Sequence, residues 1–179
     1  MIGKPSGRTR RRVGVVAAVV AGSLLLAGCE APRPDVTFYG NRTAVETGPT
    51  RWCDVDVTAE QVNCVETAEQ DVERLSLRPG QSVQINVPSA IGDTPWAVYF
   101  RYRDAGGDLQ DGRSEIFTDG QLAYTLRTFD EQDQLVLVEV RSGFILMGGQ
   151  DSGVDFAATH SWRLLIDPEE PSPQTSAAG

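Results

Sequence analysis

The chain has 179 residues, of which 40% are hydrophobic, with 16 basic and 25 acidic side chains and a formal net charge of −9. That length suits one domain with an adequate core, and the acidic excess repels nucleic acid, which excludes it as a partner. A single histidine, His160, leaves little material for acid–base or metal chemistry.

Residues 1–12 carry Lys4, Arg8, Arg10, Arg11 and Arg12 and no acid. The following run, Val13 to Ala27, is uncharged, with Ser23 its one polar side chain. It is shorter than the about 20 apolar residues that span a bilayer core. A basic start, a short apolar run and small residues before a boundary form the secretory signal pattern. The boundary Leu26-Ala27-Gly28-Cys29 resembles the lipobox of bacterial lipoproteins. The resemblance implies a signal peptide over 1–28 that is removed, and a diacylglycerol on the thiol of Cys29. Two acyl chains anchor stably where one binds marginally. The expected location is the extracytoplasmic face of the cell membrane, with the membrane itself as first partner. Thr9-Arg10-Arg11-Arg12-Val13-Gly14 also fits the loose core of a twin-arginine export signal, so both export routes stay open. Cleavage before Cys29 leaves eleven basic residues, all arginine, against 25 acidic ones.

Residues 29–34 read as the lipidated cysteine and a stiff linker, Ala31-Pro32-Arg33-Pro34. The folded domain is expected over 35–167. The tail, 168–179, has no aliphatic side chain larger than alanine and is expected to be disordered.

Within the domain the dominant period is two. Val36–Tyr39, Thr50–Val57 and Val62–Glu66 are weak strand candidates. Cys53 and Cys64, an even pair outside the membrane, predict a disulfide worth roughly 3 kcal/mol that staples an early hairpin or loop. Thr58 to Gln61, capped by Thr58 or Asp56, and Glu66 to Glu73 could each form a helical turn. Leu75 to Val87 reads as two strands flanking a Pro79-Gly80 turn, with Val83, Ile85 and Val87 alternating against Gln84 and Asn86. Trp96, Val98, Phe100 and Tyr102 share one face of a further strand, and Leu122, Tyr124 and Leu126 share another. Ser114–Thr118 and Phe144–Met147 are weaker candidates. Leu135 to Val140 is nearly continuous in apolar residues, which predicts a central strand covered on both faces. Trp162 to Ile166 makes the last strand. Many short strands, frequent turn signals and few helices predict an all-β fold, an antiparallel β-sandwich that is immunoglobulin-like in the broad sense. A closed barrel is the second choice.

The catalytic inventory is poor. His160 falls on the core face of its strand if Trp162 and Leu164 do, which suits a structural residue. A triad of Ser152, His160 and Asp155 can be drawn, but no nucleophile-elbow motif supports it. Asp104, Asp108 and Asp111, with Glu115, offer oxygens to calcium, but Gly106 departs from the third position of the EF-hand pattern. A solvated loop joining two strands is the simpler expectation. No cofactor fingerprint is present. The expectation is a chain with no enzymatic activity and no cofactor.

The order of motifs carries a family resemblance. A lipobox is followed by Arg51-Trp52-Cys53, a second cysteine, Leu75-x-Leu-x-Pro-Gly-Gln-x-Val-x-Ile-x-Val-Pro88, Pro95-Trp-x-Val-x-Phe-x-Tyr102 and Leu135-Val-Leu-Val-Glu-Val140. The chain resembles a family of actinobacterial lipoproteins known only as a domain of unknown function. The resemblance implies an envelope location and a β-rich fold, and carries no activity. The expected function is therefore an interaction or accessory module in cell-envelope assembly, with an envelope protein as partner. The alternative is a lipid or glycolipid carrier with a pocket between the sheets, lined by Leu135–Val138 and Phe144–Met147.

Overall fold

The computed structural model describes residues 32–56, 58–59, 61–148 and 154–169. All but Pro32 of these belong to the compact unit Arg33–Gly179. Among the described residues there are eleven strands: β1 (Val36–Gly40), β2 (Thr43–Thr47), β3 (Arg51–Asp56), β4 (Gln61–Glu66), β5 (Arg74–Leu77), β6 (Val83–Asn86), β7 (Trp96–Arg103), β8 (Leu109–Arg113), β9 (Ala123–Leu126), β10 (Gln134–Gly148) and β11 (Val154–Pro168). A small sheet runs β2-β1-β6-β9, and a large one runs β4-β3-β11-β10-β7-β8, with β5 also paired to β11. The two pack as a β-sandwich. One edge of β11 is shared: β3 pairs antiparallel with it at His160 and Ser161, and β5 pairs parallel with it from Leu165 to Pro168.

The period-two residues meet between the sheets. Val36 and Phe38 of β1, Val83 and Ile85 of β6 and Leu126 of β9 face Trp96, Val98 and Phe100 of β7, Val138 and Val140 of β10, and Trp162 and Leu164 of β11 in one buried cluster. Both buried indoles find an acceptor. Trp96 Nε1 donates to Gln121 O at 2.9 Å and Trp162 Nε1 to Pro34 O at 2.8 Å. These bonds remove the penalty of burying an unpaired N–H.

Several sequence expectations change in detail. The strands flanking Pro79-Gly80 do not pair with each other. β5 joins the large sheet and β6 the small one, so the turn crosses between sheets. Gly80 makes this crossing at φ +74, with Glu131 O only 2.6 Å from where a Cβ would sit. The expected strands Leu135–Val140 and Phe144–Met147 are parts of one strand, β10. The central position of β10, between β7 and β11, is as expected, but one face is not covered: Leu137 and Arg141 on its outer side are half-exposed. Ser114–Thr118 contributes only a bridge, Phe117 to Trp96. Within Asp104–Gly112, expected as a loop, β8 begins at Leu109 and forms an edge strand. β2, also an edge strand, had no signal. Leu122 lies before β9 and is exposed. Of Glu66–Glu73 only Glu69–Asp71 winds, as a 3₁₀ turn, and an unexpected single helical turn forms at Ser89–Gly92.

Cys53 and Cys64 lie directly opposite on β3 and β4, with Cα atoms 4.0 Å apart, and are joined as a disulfide. It staples the early hairpin. Cys29 and the segment 170–179 lie outside the described residues.

β8 packs tightly against β7. A Cβ on Gly112 would sit 2.4 Å from Phe100 Cζ, in the core. Gly112→Ala should therefore cost about 1–3 kcal/mol in chemical denaturation. Gly48→Ala is the control. Its Cβ meets nothing closer than Asp35 Oδ1 at 3.6 Å, so its change should stay within about 0.5 kcal/mol.

Candidate functional site

The outer face of the large sheet carries a charge cluster. Glu139 sits on β10 directly opposite Arg163 of β11, and Arg141 lies two residues on, on the same face. Glu139 is only 2% exposed. Its Oε2 accepts from Arg141 Nε at 2.7 Å and from Arg141 Nη2, and its Oε1 accepts from Arg163 Nε at 2.9 Å. The Arg141 guanidinium also lies 4.0 Å over the ring of Tyr99 on β7. A buried carboxylate without partners is strongly unfavourable, and two guanidiniums offset that cost. Each guanidinium has five N–H groups, and these contacts leave several on both arginines for water or an anion.

Beside the cluster lies a cavity of about 210 Å³, lined among others by Thr50, Arg51, Glu66, Glu139, Arg141 and Arg163. Thr50 Oγ1 donates to Ser161 O at 3.1 Å in its floor. Arg51 and Glu66 pair at 3.4 Å on its rim. Both are well exposed, so that pair adds little stability. A second cavity, about 290 Å³, shares Arg163 and adds the apolar Val72, Val136, Leu137 and Leu165. Glu139 did not stand out in the sequence. The signal was available: a lone acid inside an apolar strand, with an arginine two residues later on the same face.

His160 lies on the opposite, inner face, as its spacing from Trp162 predicts. Its ring centroid is 3.9 Å from that of Trp52 and 6.4 Å from that of Trp162. Its Nδ1 is 3.2 Å from Thr159 Oγ1. Partial burial holds its pKa below the ordinary histidine value. Asp54 opposes that shift, and Arg33 adds to it. Ser152 of the triad drawn with His160 and Asp155 lies outside the described residues. Asp155 pairs with Met147 along β11.

The acids of the calcium expectation have other partners. Asp104 Oδ1 accepts from Gly106 N at 2.9 Å and Asp108 N at 3.0 Å, and its Oδ2 accepts from Gln110 Nε2 at 3.1 Å. The Asp108 backbone N–H, followed by the Gln110 amide, holds its pKa below the usual carboxylate range. Asp104 thus closes the β7–β8 turn. Asp111 accepts from Arg101 Nε at 2.8 Å and Nη2 at 3.1 Å, which likewise lowers its pKa. Among the described residues no group of three or more His, Cys, Asp or Glu converges to hold a metal ion.

Two outcomes are expected. Arg141→Gln and Arg163→Gln should each be tolerated, because one guanidinium still faces Glu139. The double variant should lose more than the sum of the two, by about 1–3 kcal/mol in urea unfolding, because it strands a buried carboxylate. For His160, the folded state favours the neutral ring. The unfolded state therefore binds more protons below about pH 6.5, and stability must fall as pH drops through that value towards the lowered folded pKa. His160→Gln should flatten the slope of unfolding free energy just below about pH 6.5, while leaving the steeper loss below about pH 4 to carboxylates such as Asp111 and Asp167.

No curated protein and no solved structure matches the chain. A family model described as "Protein of unknown function (DUF2771)" matches residues 29–167. With most of its length covered by that match, the chain belongs to this family of proteins of unknown function.

Proposed function

We propose that this protein is a non-catalytic lipoprotein of the cell envelope, held on the extracytoplasmic face of the membrane by a diacylglyceryl Cys29. There it serves as an interaction module in envelope assembly. The observation that carries the recognition role is the Arg141–Arg163 pair, held over buried Glu139 with N–H donors to spare, beside a cavity on an open sheet face. Fixed guanidiniums suit a carboxylate of a protein partner. The anchor is supported by Leu26-Ala27-Gly28-Cys29 and by a family match that starts at Cys29. The order of motifs along the chain supports an actinobacterial envelope lipoprotein. Among the described residues no helix is long and apolar enough to cross a membrane.

An adaptor fits better than a carrier. Leu135, Val138 and Val140 are committed to a core shared with Trp96 and Trp162, all 2% exposed or less. Phe144 to Leu146 lie on β10 past the last residue that β7 pairs, Ser142.

Native mass spectrometry on the full chain, gently extracted from its own membrane, tests this reading. The expected mass is the chain from Cys29 plus the acyl anchor, less two hydrogens for the Cys53–Cys64 bond. A further removable mass of lipid or glycan size would replace the adaptor with the carrier. A mass that retains residues 1–28 without an acyl group would overturn the anchor. Crosslinking in the membrane should then capture an envelope protein, and Arg141→Gln or Arg163→Gln, each tolerated by the fold, should weaken that product.

A further inference from the structure

The outer face of the β10–β11 ribbon changes character along its length. Leu137 lies directly opposite Leu165, and Glu139 directly opposite Arg163. The two rows share a face and sit two residues apart, about 7 Å along the strands. An aliphatic row therefore borders the charged one. The cavities follow the same division. The one of about 210 Å³ is lined by Arg51, Arg141 and Arg163 with Glu66 and Glu139. The one of about 290 Å³ is lined by the aliphatic side chains of Val72, Val136, Leu137 and Leu165. Val72 is buried and the other three are half-buried. Thr67 and Arg163 line both cavities, so the two adjoin.

Charge and size narrow what fits. Three guanidiniums face two carboxylates in the first cavity, which leaves one positive charge. Glu139 takes Nε and Nη2 of Arg141 and Nε of Arg163. The other Nη of Arg141 and both of Arg163 lie outside that set. They suit one monoanion. A phosphate monoester, with a charge of about −1.5 to −2, would leave the site negative in a chain that is already acidic. Besides Arg163, the charged groups of the second cavity are Glu69 and Arg101, and Asp111 holds Arg101 at 2.8 Å. Pockets for drug-sized ligands run from about 300 to 1,000 Å³, so each of these cavities takes one small group. An aspartate or glutamate side chain brings a carboxylate on a methylene stem and no aliphatic group beside it. A C-terminal residue brings both, a carboxylate and a side chain that diverge from one carbon atom.

We propose that this face recognises the C-terminal residue of a protein partner. Its α-carboxylate lies on Arg141 and Arg163, and its branched aliphatic side chain enters the cavity of Val72, Val136, Leu137 and Leu165. This deepens, and rests on, the reading of the arginine pair as a site for a partner's carboxylate.

The test is fluorescence anisotropy with the full acylated chain in neutral detergent micelles. The probe is a neutral glycine–serine peptide, labelled at its N-terminus, that ends in leucine with a free carboxylate. It should bind about tenfold or more tighter than the same peptide as its C-terminal amide. It should also bind several-fold tighter than a free acid ending in glycine. Arg163→Gln, with its folding checked in urea, should bring the leucine acid down to the level of the amide. Equal binding of acid and amide, or no binding of either, would overturn the inference. Equal binding of the glycine-ended acid would overturn it too. Competition by free isocaproate at the strength of the peptide would assign the site to a small acid and have the same effect. If an amide peptide with glutamate in place of leucine matches the leucine acid, the terminal residue is overturned and the partner's carboxylate becomes a side chain, so the partner reading stands. The partner reading itself falls only if Arg141→Gln and Arg163→Gln also leave the membrane crosslink unchanged.

Discussion

The architecture depends on a mismatch of length. β10 and β11 each have 15 residues, whereas the strands of the facing sheet have four or five. At about 3.3 Å per residue the long ribbon extends roughly 50 Å, and the facing strands roughly 15 Å. Where the sheets overlap, the ribbon supplies the spine of the core. There its outer face must satisfy its own polar groups, and beyond Ser142 and His160 the two strands pair only with each other.

The outer surface solves that problem with charge. A glutamate in the middle of the longest ribbon cannot be hydrated fully, because Arg141, Arg163 and Tyr99 crowd it. The same packing that buries the carboxylate holds the guanidiniums still. An arginine already oriented by Glu139 loses less entropy when it takes a further acceptor. Stability and the proposed recognition thus draw on one cluster, which makes the two hard to separate by deleting Glu139 and easier to separate by replacing the arginines singly.

Much of the fold was legible because period-two segments with one buried face leave a strong pattern. Trp96, Val98 and Phe100 turn inward, as do Val83 and Ile85. The misses have physical causes. β2 and β8 are edge strands, mostly exposed, and their burial pattern carries almost no alternation. The parallel pairing of β5 with β11 joins residues about 90 positions apart, and nothing local encodes it. Arg141-Ser142-Gly143 looked like a break between strands. Instead Gly143, at φ +66, lets Thr159 approach so closely that a Cβ would be 2.2 Å from its Oγ1, and the ribbon runs on. The charge cluster escaped notice because a lone glutamate reads as ordinary until its cross-strand neighbour is known.

The cations of the cluster belong to a wider pattern. Beyond Lys4 every positive side chain of this protein is an arginine. Guanidinium does not lose its proton under conditions in which proteins stay folded. Near neutral pH the charge of the folded domain is therefore set from the positive side by constants, and only the carboxylates and His160 can vary it. The domain also presents no side-chain amine. Acetylation and other lysine chemistry cannot retune its surface, and amine-directed labels pass over it.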